Sequence, residues 1–283
     1  MIEIDGASVL LQWATGGLGF LWVTTRHRQV GLGYGWLLRG VYAAMALGSA
    51  ALGLRFNPLL VRDIAAIGVA LAAGFALWQS IARKDVGVTH QRALAEARTA
   101  RVAAQTGIER SERAKSPEGP EFDPRLDLVA PLIGVVGILA AAIAAGGPTW
   151  LAIARFLVGT AFLGVVSDAM LLGHWYLVQP GLSRDPLSEL VRWSGLLWFP
   201  EVALLLIPTG MLSVFSGTID DGWGGMLGWF WAASAITTIG LVIVTVAALR
   251  EKQYSAVMAA TGLLYLAILT GFCTDLVARA LLA

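Results

Sequence analysis

The chain has few charged residues and almost none of the residues that build metal or redox centres. Only 14% of its 283 residues are charged, whereas soluble globular domains contain about 25%. Its single cysteine, Cys273, excludes an internal disulfide and a cysteine-based metal cluster. A formal net charge of +1 argues against nucleic acid as a partner, because phosphate binding needs a clustered basic surface.

The chain has only three histidines. A buried bis-histidine haem needs two histidines facing each other inside the protein, but His27 and His174 lie at the ends of apolar runs and His90 lies in a polar segment. The HExxH pattern of metalloproteases is absent. The three lysines also lie in polar segments, where they cannot form a retinal-type Schiff base. We therefore expect no metal and no cofactor, and we expect a protein without enzymatic activity rather than an enzyme.

What the chain has in abundance is apolar sequence. Hydrophobic residues make up 57% of it and the mean hydropathy is +0.71. A membrane-spanning helix needs about 20 mainly apolar residues. Eight runs qualify, at 7–25, 36–54, 63–82, 128–147, 150–178, 189–210, 226–249 and 255–280. The sequence thus predicts an all-α, polytopic integral membrane protein with three helices in 1–82, a loop at 83–127 and five helices in 128–283.

Basic residues predict its orientation, because they concentrate in cytoplasmic loops. One set of alternate loops contains the basic stretches RHR at 26–28, RKD at 83–85, Arg184 with Arg192, and REK at 250–252. The other set contains only Arg55 and Arg62. We expect an inner (cytoplasmic) membrane protein with both termini outside and the 83–127 loop in the cytoplasm, helical in its first part and flexible in its proline-rich second part.

A faint internal similarity suggests a repeat. Residues 64–85 and 236–253 share the pattern I-x-x-I-G and end in basic residues, and they correspond to the third and seventh predicted helices. The chain would then consist of two parallel four-helix halves. Apolar helices of low complexity also produce such similarities by chance.

Two carboxylates lie deep in predicted helices. Asp168 is about ten residues from the cytoplasmic end of the fifth helix, and Glu201 is about twelve residues along the sixth, so both lie roughly 15 to 18 Å into the membrane. If they face each other, burial and like charge favour a bound proton. Pro200 would kink the sixth helix beside Glu201. The pair predicts a proton or ligand site, although a neutral carboxyl can also simply hydrogen-bond a neighbouring helix.

The stretch HWYLVQP at 174–180 resembles a helix end at the membrane interface, where Trp175 and Tyr176 act as anchors. His174 is on a different helix face from Asp168. It would exchange protons with the cytosol, hydrogen-bond a quinone, or serve as another anchor. Arg192 belongs to the same predicted interface.

Four arginine and aspartate positions are predicted to be structural. Arg39 can extend its side chain from the second helix to the cytoplasmic surface. Arg155 and Asp275 lie at similar depths and could pair between helices. Arg279, four residues beyond Asp275, offers a competing pair on one helix face.

These features favour a proton-coupled carrier or permease built around Asp168 and Glu201. The alternative is a non-catalytic membrane subunit of a respiratory or other energy-transducing complex, touching quinone near His174. A lipid-modifying enzyme is a third hypothesis, although no metal or phosphate motif supports it. Expected partners are the lipid bilayer, a quinone or small-molecule ligand, and either further copies of the chain or other subunits.

Overall fold

A computed structural model describes residues 2–84, 100, 122–179 and 181–282. It is 82% helical, and the described residues contain no strand, which confirms the all-α prediction. Residues 85–99 and 101–121, with His90 and most of the predicted loop, lie outside the described residues.

Eight long helices and two short ones are formed within the described ranges. They are α1 (Gly6–Thr25), α2 (Leu32–Phe56), α3 (Leu60–Ala82), α4 (Val129–Ala144), α5 (Thr149–Val178), α6 (Asp185–Leu206), α7 (Gly210–Phe215), α8 (Met226–Arg250), α9 (Tyr254–Phe272) and α10 (Ala278–Leu281). A 3₁₀ turn, Pro124–Leu128, precedes α4, and a π-helical turn, Cys273–Val277, joins α9 to α10.

Seven of the described helices are long and apolar enough to cross a membrane. The sequence predicted eight such helices. The one that does not qualify is α6, which contains Asp185, Glu189 and Arg192 and is less hydrophobic than the others. It nevertheless runs antiparallel along most of α5. Near its start, the Tyr176 hydroxyl of α5 donates to the carbonyl of Ser183, and near its end Arg155 of α5 donates to the carbonyl of Leu204.

Consecutive long helices alternate in direction, so the bundle has two ends. The loop face contains residues 26–31, 83–84, 122–128, 179–184 and 251–253. The opposite face contains residues 2–5, 57–59, 145–148 and 207–225. At the loop face, Arg184 donates hydrogen bonds to the carbonyls of Lys252 and Gln253, both at 2.9 Å, just beyond the end of α8. A cation is favourable there because the helix C-terminus carries partial negative charge.

The helices form two rings of neighbours. In the first, α1 packs on α2, α2 on α3, α3 on α4, and α4 on α1. In the second, α5 packs on α6, α6 on α8, α8 on α9, and α9 on α5. The two rings of helices meet chiefly where α1 packs against α5. Trp13 of α1 and Phe272 of α9 add an edge-to-face aromatic contact, with their centroids 4.5 Å apart.

Glycines bring α1 and α5 into direct backbone contact. A Cβ atom on Gly16 would lie 1.8 Å from the carbonyl oxygen of Thr160, and one on Gly164 would lie 2.2 Å from the carbonyl carbon of Gly16. Neither atom can fit, because backbone cannot move aside as a flexible side chain can. The small residues at 14–19 therefore permit close helix packing, as their composition indicates.

The opposite face is held by a hydrogen-bonded network around Arg62, whose side chain is 1% exposed. Its guanidinium contacts Asp5 at 2.6 Å and Asp63 at 2.9 Å. Burial would raise the pKa of Asp5, but hydrogen bonds from Ser8 and from Arg62 outweigh it and leave this pKa lowered. The network ties α1 to α3 and satisfies the buried charge.

Arg39 does not reach the surface, and that expectation was wrong. It is buried and makes two 2.7 Å hydrogen bonds to the carboxylate of Asp127, which also accepts from Thr25. Helix α2 begins at Leu32 rather than 36, so Arg39 lies about two turns inside it. Asp127, which lies in the 3₁₀ turn, neutralises the charge of Arg39, so this charge does not need water.

We expect Gly16→Ala to destabilise the protein by about 1 to 3 kcal/mol, because the added methyl forces α1 away from α5. Gly74→Ala is the matched control, since nothing lies within 4 Å of the position its Cβ would take. Thermal unfolding in detergent micelles measures both. Equal melting temperatures for the two variants would contradict the close contact.

Candidate functional site

Asp168 lies in the second half of α5 and is completely buried. One of its carboxylate oxygens, Oδ1, accepts a hydrogen bond from the hydroxyl of Tyr42 on α2. The hydroxyl of Tyr34 lies 3.4 Å from the backbone carbonyl oxygen of Asp168. The second carboxylate oxygen, Oδ2, has no hydrogen-bond partner. Asp168 therefore connects the two rings of helices through a tyrosine that sequence reasoning missed.

The position of Tyr42 depends on a glycine of α1. A Cβ atom on Gly17 would lie 2.1 Å from the Cζ atom of Tyr42, so the tyrosine ring occupies the space that a side chain at 17 would fill. Gly16 and Gly17 thus make room for different groups. The backbone of α5 packs against Gly16, and the tyrosine ring that contacts Asp168 packs against Gly17.

Glu201 does not join Asp168, and the expectation that the two face each other is not met. Helix α6 begins at Asp185 rather than 189, which places Glu201 about 16 residues, or roughly 24 Å, from its start. Asp168 lies only about ten residues, or roughly 15 Å, from the corresponding end of α5. Because α6 starts about one turn earlier than predicted, Glu201 lies closer to the opposite face than Asp168 does.

Glu201 instead belongs to a buried group of charges, here named the charge cluster, formed by Glu201, Asp275, Arg279 and Arg155 with the amide of Gln12. Arg279 brings the carboxyls of Glu201 and Asp275 to the same site. Arg279 Nη2 is 4.0 Å from Glu201 Oε1, and Arg279 Nε is 2.6 Å from Asp275 Oδ1. Helices α1, α5, α6 and the α9–α10 segment all contribute to it.

Arg279 is at the centre of the charge cluster. Its guanidinium donates to the Gln12 side chain at 3.2 Å and to the carbonyl of Arg155 at 2.9 Å. It occupies a space left by Gly159, where a Cβ would lie 1.5 Å from Nη2. The local pair with Asp275, one of the two predicted pairings, is the one that forms.

Arg155 does not form the alternative pair with Asp275. Its guanidinium donates to the carbonyls of Leu204 at 3.0 Å and Ile207 at 2.6 Å, where α6 ends beyond Pro200. Its charge still acts on Glu201 through space. A helix end offers unpaired carbonyls, which explains why the arginine binds there.

The regular backbone hydrogen bonding of both helices that carry the carboxylates changes beside the charge cluster. Asp275 lies in the π-helical turn, and the indole of Trp231 donates a 2.8 Å hydrogen bond to the carbonyl of the preceding Thr274. On α6, Pro200 precedes Glu201 and cannot donate to the carbonyl of Leu196. Single-turn π segments occur frequently at functional sites.

The charge cluster is not fully hydrogen-bonded. Glu201 Oε2 and both carboxylate oxygens of Asp275 are buried without a conventional donor, and the 2.6 Å contact with Arg279 lacks the alignment of a hydrogen bond. Buried polar atoms normally have partners, and exceptions are often functional. Two guanidiniums and two neighbouring carboxyls in one buried site can hold a proton and respond to its loss.

The predicted interface residues lie near the loop face. His174 is exposed, and its Nδ1 atom lies 2.7 Å from the hydroxyl of Tyr265 on α9, rather than near Asp168. The indole of Trp175 donates to Gln179 at 2.9 Å, and the hydroxyl of Tyr176 donates to the carbonyl of Ser183 at 2.6 Å. Arg192 is exposed on α6. Their roles as anchors or ligands stay predictions.

Comparisons with protein-family models, with curated proteins and with solved structures found no match for this chain. Among the residues that the structure describes, no three histidine, cysteine, aspartate or glutamate side chains are grouped as metal ligands. The geometry of the charge cluster and of Asp168 is therefore the basis for a functional assignment.

Replacing Tyr42 with phenylalanine should destabilise the protein by about 1 to 3 kcal/mol, because it leaves a buried carboxyl group without its donor. Tyr254→Phe is the control, since that hydroxyl donates to the carbonyl of Tyr176 in a half-buried position at the loop face. Chemical unfolding in micelles gives both values. A smaller loss for Tyr42→Phe than for Tyr254→Phe would contradict the assigned hydrogen bond.

Proposed function

We propose that the chain is a multi-pass membrane protein that couples the movement of protons to the passage of a small solute, with the charge cluster as its proton-binding centre. The observation that carries this proposal is that Glu201 and Asp275, two buried carboxyls, approach the same guanidinium of Arg279, beside Pro200 in one helix and in the π-helical turn of the other. The sequence predicted a proton site formed by Asp168 and Glu201. We propose instead that Glu201 and Asp275 form it.

Insertion in a membrane is supported by the exposed apolar side chains. Leu71 on α3, Trp229 and Ile236 on α8, and Leu269 on α9 are all more than 60% exposed, although each is strongly apolar. Soluble proteins rarely expose large contiguous apolar surfaces. In a bilayer the same side chains contact lipid.

The number of spans and the orientation are also part of the proposal. Because α6 runs antiparallel beside α5, we infer that it is an eighth span despite its lower hydropathy. Basic residues concentrate at the loop face, so we place that face in the cytoplasm of an inner membrane and both termini outside.

The packing supports two parallel four-helix halves. The order of neighbours in the ring α1–α4 is repeated in the ring of α5, α6, α8 and α9. The first helix of each half, α1 or α5, provides the main contact between them. Carriers built from repeats commonly place their binding site where the repeats meet, and the charge cluster includes residues from both halves.

A proton can act on this arrangement in a defined way. Two neighbouring carboxyls in a buried site favour one proton between them, because ionising both brings like charges together where water cannot screen them. Losing the proton would therefore push α6 away from the π-helical turn, while the guanidiniums of Arg155 and Arg279 limit the repulsion. Helices whose backbone hydrogen bonding is already irregular at Pro200 and at 273–277 can accommodate such a change.

Asp168 lies on α5 between the charge cluster and the loop face. With Tyr42 it offers a further protonatable group on the way to His174, and we propose it as a relay toward the cytoplasmic side. Direct transfer from the charge cluster is too far, since Asp275 lies beside Gly159 of α5, about nine residues, or roughly 14 Å, from Asp168 along the helix. Water would have to fill the gap.

A second candidate function is a non-catalytic membrane subunit that touches a quinone or a partner protein. The observation that favours it is the exposed His174, whose ring contacts Tyr265 on the outer surface of α5 and α9. An exposed imidazole and phenol at the lipid boundary could hydrogen-bond a quinone carbonyl.

Glu201→Gln should abolish solute-dependent proton movement, because the amide has the same size but cannot release a proton. The assay uses proteoliposomes that contain the pH-sensitive dye pyranine, with the membrane potential set by potassium and valinomycin. Sugars, amino acids, organic acids and amines are added outside as separate classes. We expect at least one class to move protons in the unmodified protein, and the variant to match protein-free liposomes.

Glu189→Gln is the control, since Glu189 forms a partly exposed ion pair with Arg26 at the loop face. It should keep the proton flux of the unmodified protein. Unchanged flux in Glu201→Gln would overturn the charge cluster as the proton site. If no solute class moves protons and the protein purifies from native membranes with redox subunits, the subunit assignment replaces the carrier.

A further inference from the structure

The connection between α6 and α8 is long and lies at the opposite face, close to the charge cluster. It comprises 207–225 and includes the short helix α7, whereas the other two connections at that face are 57–59 and 145–148. Helix α7 packs against α6, α8 and α10, and α10 carries Arg279 of the charge cluster. Neither the proton site nor the contact of α1 with α5 requires a connection of this length.

The 207–225 segment has a small apolar core of its own. This core is separate from the main core of the bundle and consists of Leu205, Met211, Val214, Trp231, Ala278 and Leu282. Within it, the side chain of Met211 is completely buried. Groups of residues with few contacts to the main core open at a lower free energy than the rest of a protein. The segment can therefore move while the packing of α1 against α5 stays intact.

One arginine joins the segment to α5. The guanidinium of Arg155 donates to the carbonyl of Ile207 at 2.6 Å and to that of Leu204, near the end of α6, at 3.0 Å. In the described part of the chain, the other hydrogen bonds of 207–219 join residues of that stretch to one another. Arg155 therefore makes the polar contact that the segment has to break in order to move away from α5.

Gly210 places the backbone of the segment beside this arginine. Its φ angle is +38°, and a Cβ atom there would lie 2.0 Å from the carbonyl oxygen of Leu205 and 3.6 Å from Nη2 of Arg155. The chain can fold back against the end of α6 only because position 210 has no side chain. In this arrangement Arg155 is 7% exposed and Glu201 only 1%, so the segment closes the charge cluster toward the opposite face.

Arg155 is also sensitive to charge in the charge cluster. Its guanidinium interacts electrostatically with Glu201 on α6 and with Arg279, through which the rest of the charge cluster reaches it. The two acidic residues of the segment, Asp220 and Asp221, instead accept hydrogen bonds from backbone N–H groups of their own loop and of the start of α8. Glu201 is therefore the carboxyl whose charge acts most directly on Arg155.

We propose that the 207–225 segment is a lid over the charge cluster and that Arg155 holds it closed while the charge cluster has its proton. This mechanism rests on the proton site proposed above. When the proton leaves, Glu201 and Asp275 are both ionised, and the attraction of Glu201 for the guanidinium of Arg155 increases. The backbone carbonyls that Arg155 contacts have only partial charges, so the guanidinium turns from them toward Glu201 and releases the lid.

The lid gives the proton cycle a direction. With the proton lost, the lid opens, and water from the opposite face reaches Glu201 and Asp275. Binding of a proton removes one negative charge, so Arg155 returns to the carbonyls and the lid closes over the site. A proton that enters from the opposite face is then enclosed and can leave only toward the loop face.

Oxidation of Met211 by hydrogen peroxide measures the opening of the lid in the full-length protein in lipid nanodiscs, without any solute. Peroxide converts an accessible thioether to its sulfoxide, with water as the other product. Met226, which is 67% exposed at the same face, is the internal reference, and mass spectrometry gives the ratio of the initial oxidation rates of Met211 and Met226. Taking this ratio cancels any effect of pH on the reagent.

We expect this ratio to be low at neutral pH in the unmodified protein and to rise at alkaline pH, when the proton is lost. Arg155→Gln should raise it roughly tenfold at both pH values, as expected for the loss of two hydrogen bonds from a charged group. In Glu201→Gln the ratio should stay low at both, because the amide keeps the charge of the protonated site. A purely structural arginine would raise the ratio when replaced but leave the response to pH.

Arg184→Gln is the matched control, since Arg184 also donates to backbone carbonyls beyond the end of a helix, but at the loop face. Its ratio should follow that of the unmodified protein. The proposal is overturned if the unmodified protein shows no rise at alkaline pH, if Glu201→Gln shows the same rise, or if Arg184→Gln matches Arg155→Gln. The Glu201→Gln comparison decides the question even if Arg155→Gln fails to fold.

The oxidation of Met211 and the transport of a solute are separate measurements. A rise at alkaline pH that Glu201→Gln removes, in a protein that moves no solute, would support the lid and remove the carrier. Loss of proton flux in Glu201→Gln, with an oxidation ratio that does not respond to this change, would support the carrier and remove the lid.

Discussion

The direct contact of α1 with α5 at Gly16 and Gly164 is the constraint on which the rest of the structure depends. In the bilayer that we propose for this chain, helices gain no hydrophobic energy from meeting each other, so close backbone packing and interhelical hydrogen bonds must hold them. The contact joins the two rings of helices. It also brings Gln12 to Arg279 and leaves the space beside Gly17 in which Tyr42 reaches Asp168. Moving α1 outward would separate both polar sites at once.

The buried charges differ in how completely they are neutralised. Arg62 and Arg39 are each fixed by carboxylates in short hydrogen bonds, and nothing about them requires a ligand or a proton. In the charge cluster, by contrast, two carboxyls approach one guanidinium and three of their oxygens lack a donor. Buried charges without partners are expensive, so an incompletely satisfied group in the interior is a candidate for function. That difference is why the proposed proton site lies at Glu201 and Asp275.

Much of the architecture could be predicted from sequence, because long apolar runs have few alternatives in lipid. The helices, the packing role of the glycines at 14–19 and the local pair of Asp275 with Arg279 follow from composition and spacing. The partners of Asp168, Glu201 and Arg39 do not, since they depend on where a helix starts and how it is rotated. Moving the start of α6 from 189 to 185 was enough to separate Glu201 from Asp168. No pattern in the sequence indicated Tyr42 or Asp127 as partners.

The central claim is that one proton is shared by Glu201 and Asp275, and infrared spectroscopy of the protein in lipid vesicles tests it most directly. The C=O stretch of a protonated carboxyl is separate from the bands of carboxylates. The account predicts such a band at neutral pH, and it predicts that Glu201→Gln and Asp275→Asn each weaken it, because either change removes one of the two groups that share the proton. A protonated-carboxyl band of unchanged strength in both variants, or its absence from the unmodified protein, would contradict the account.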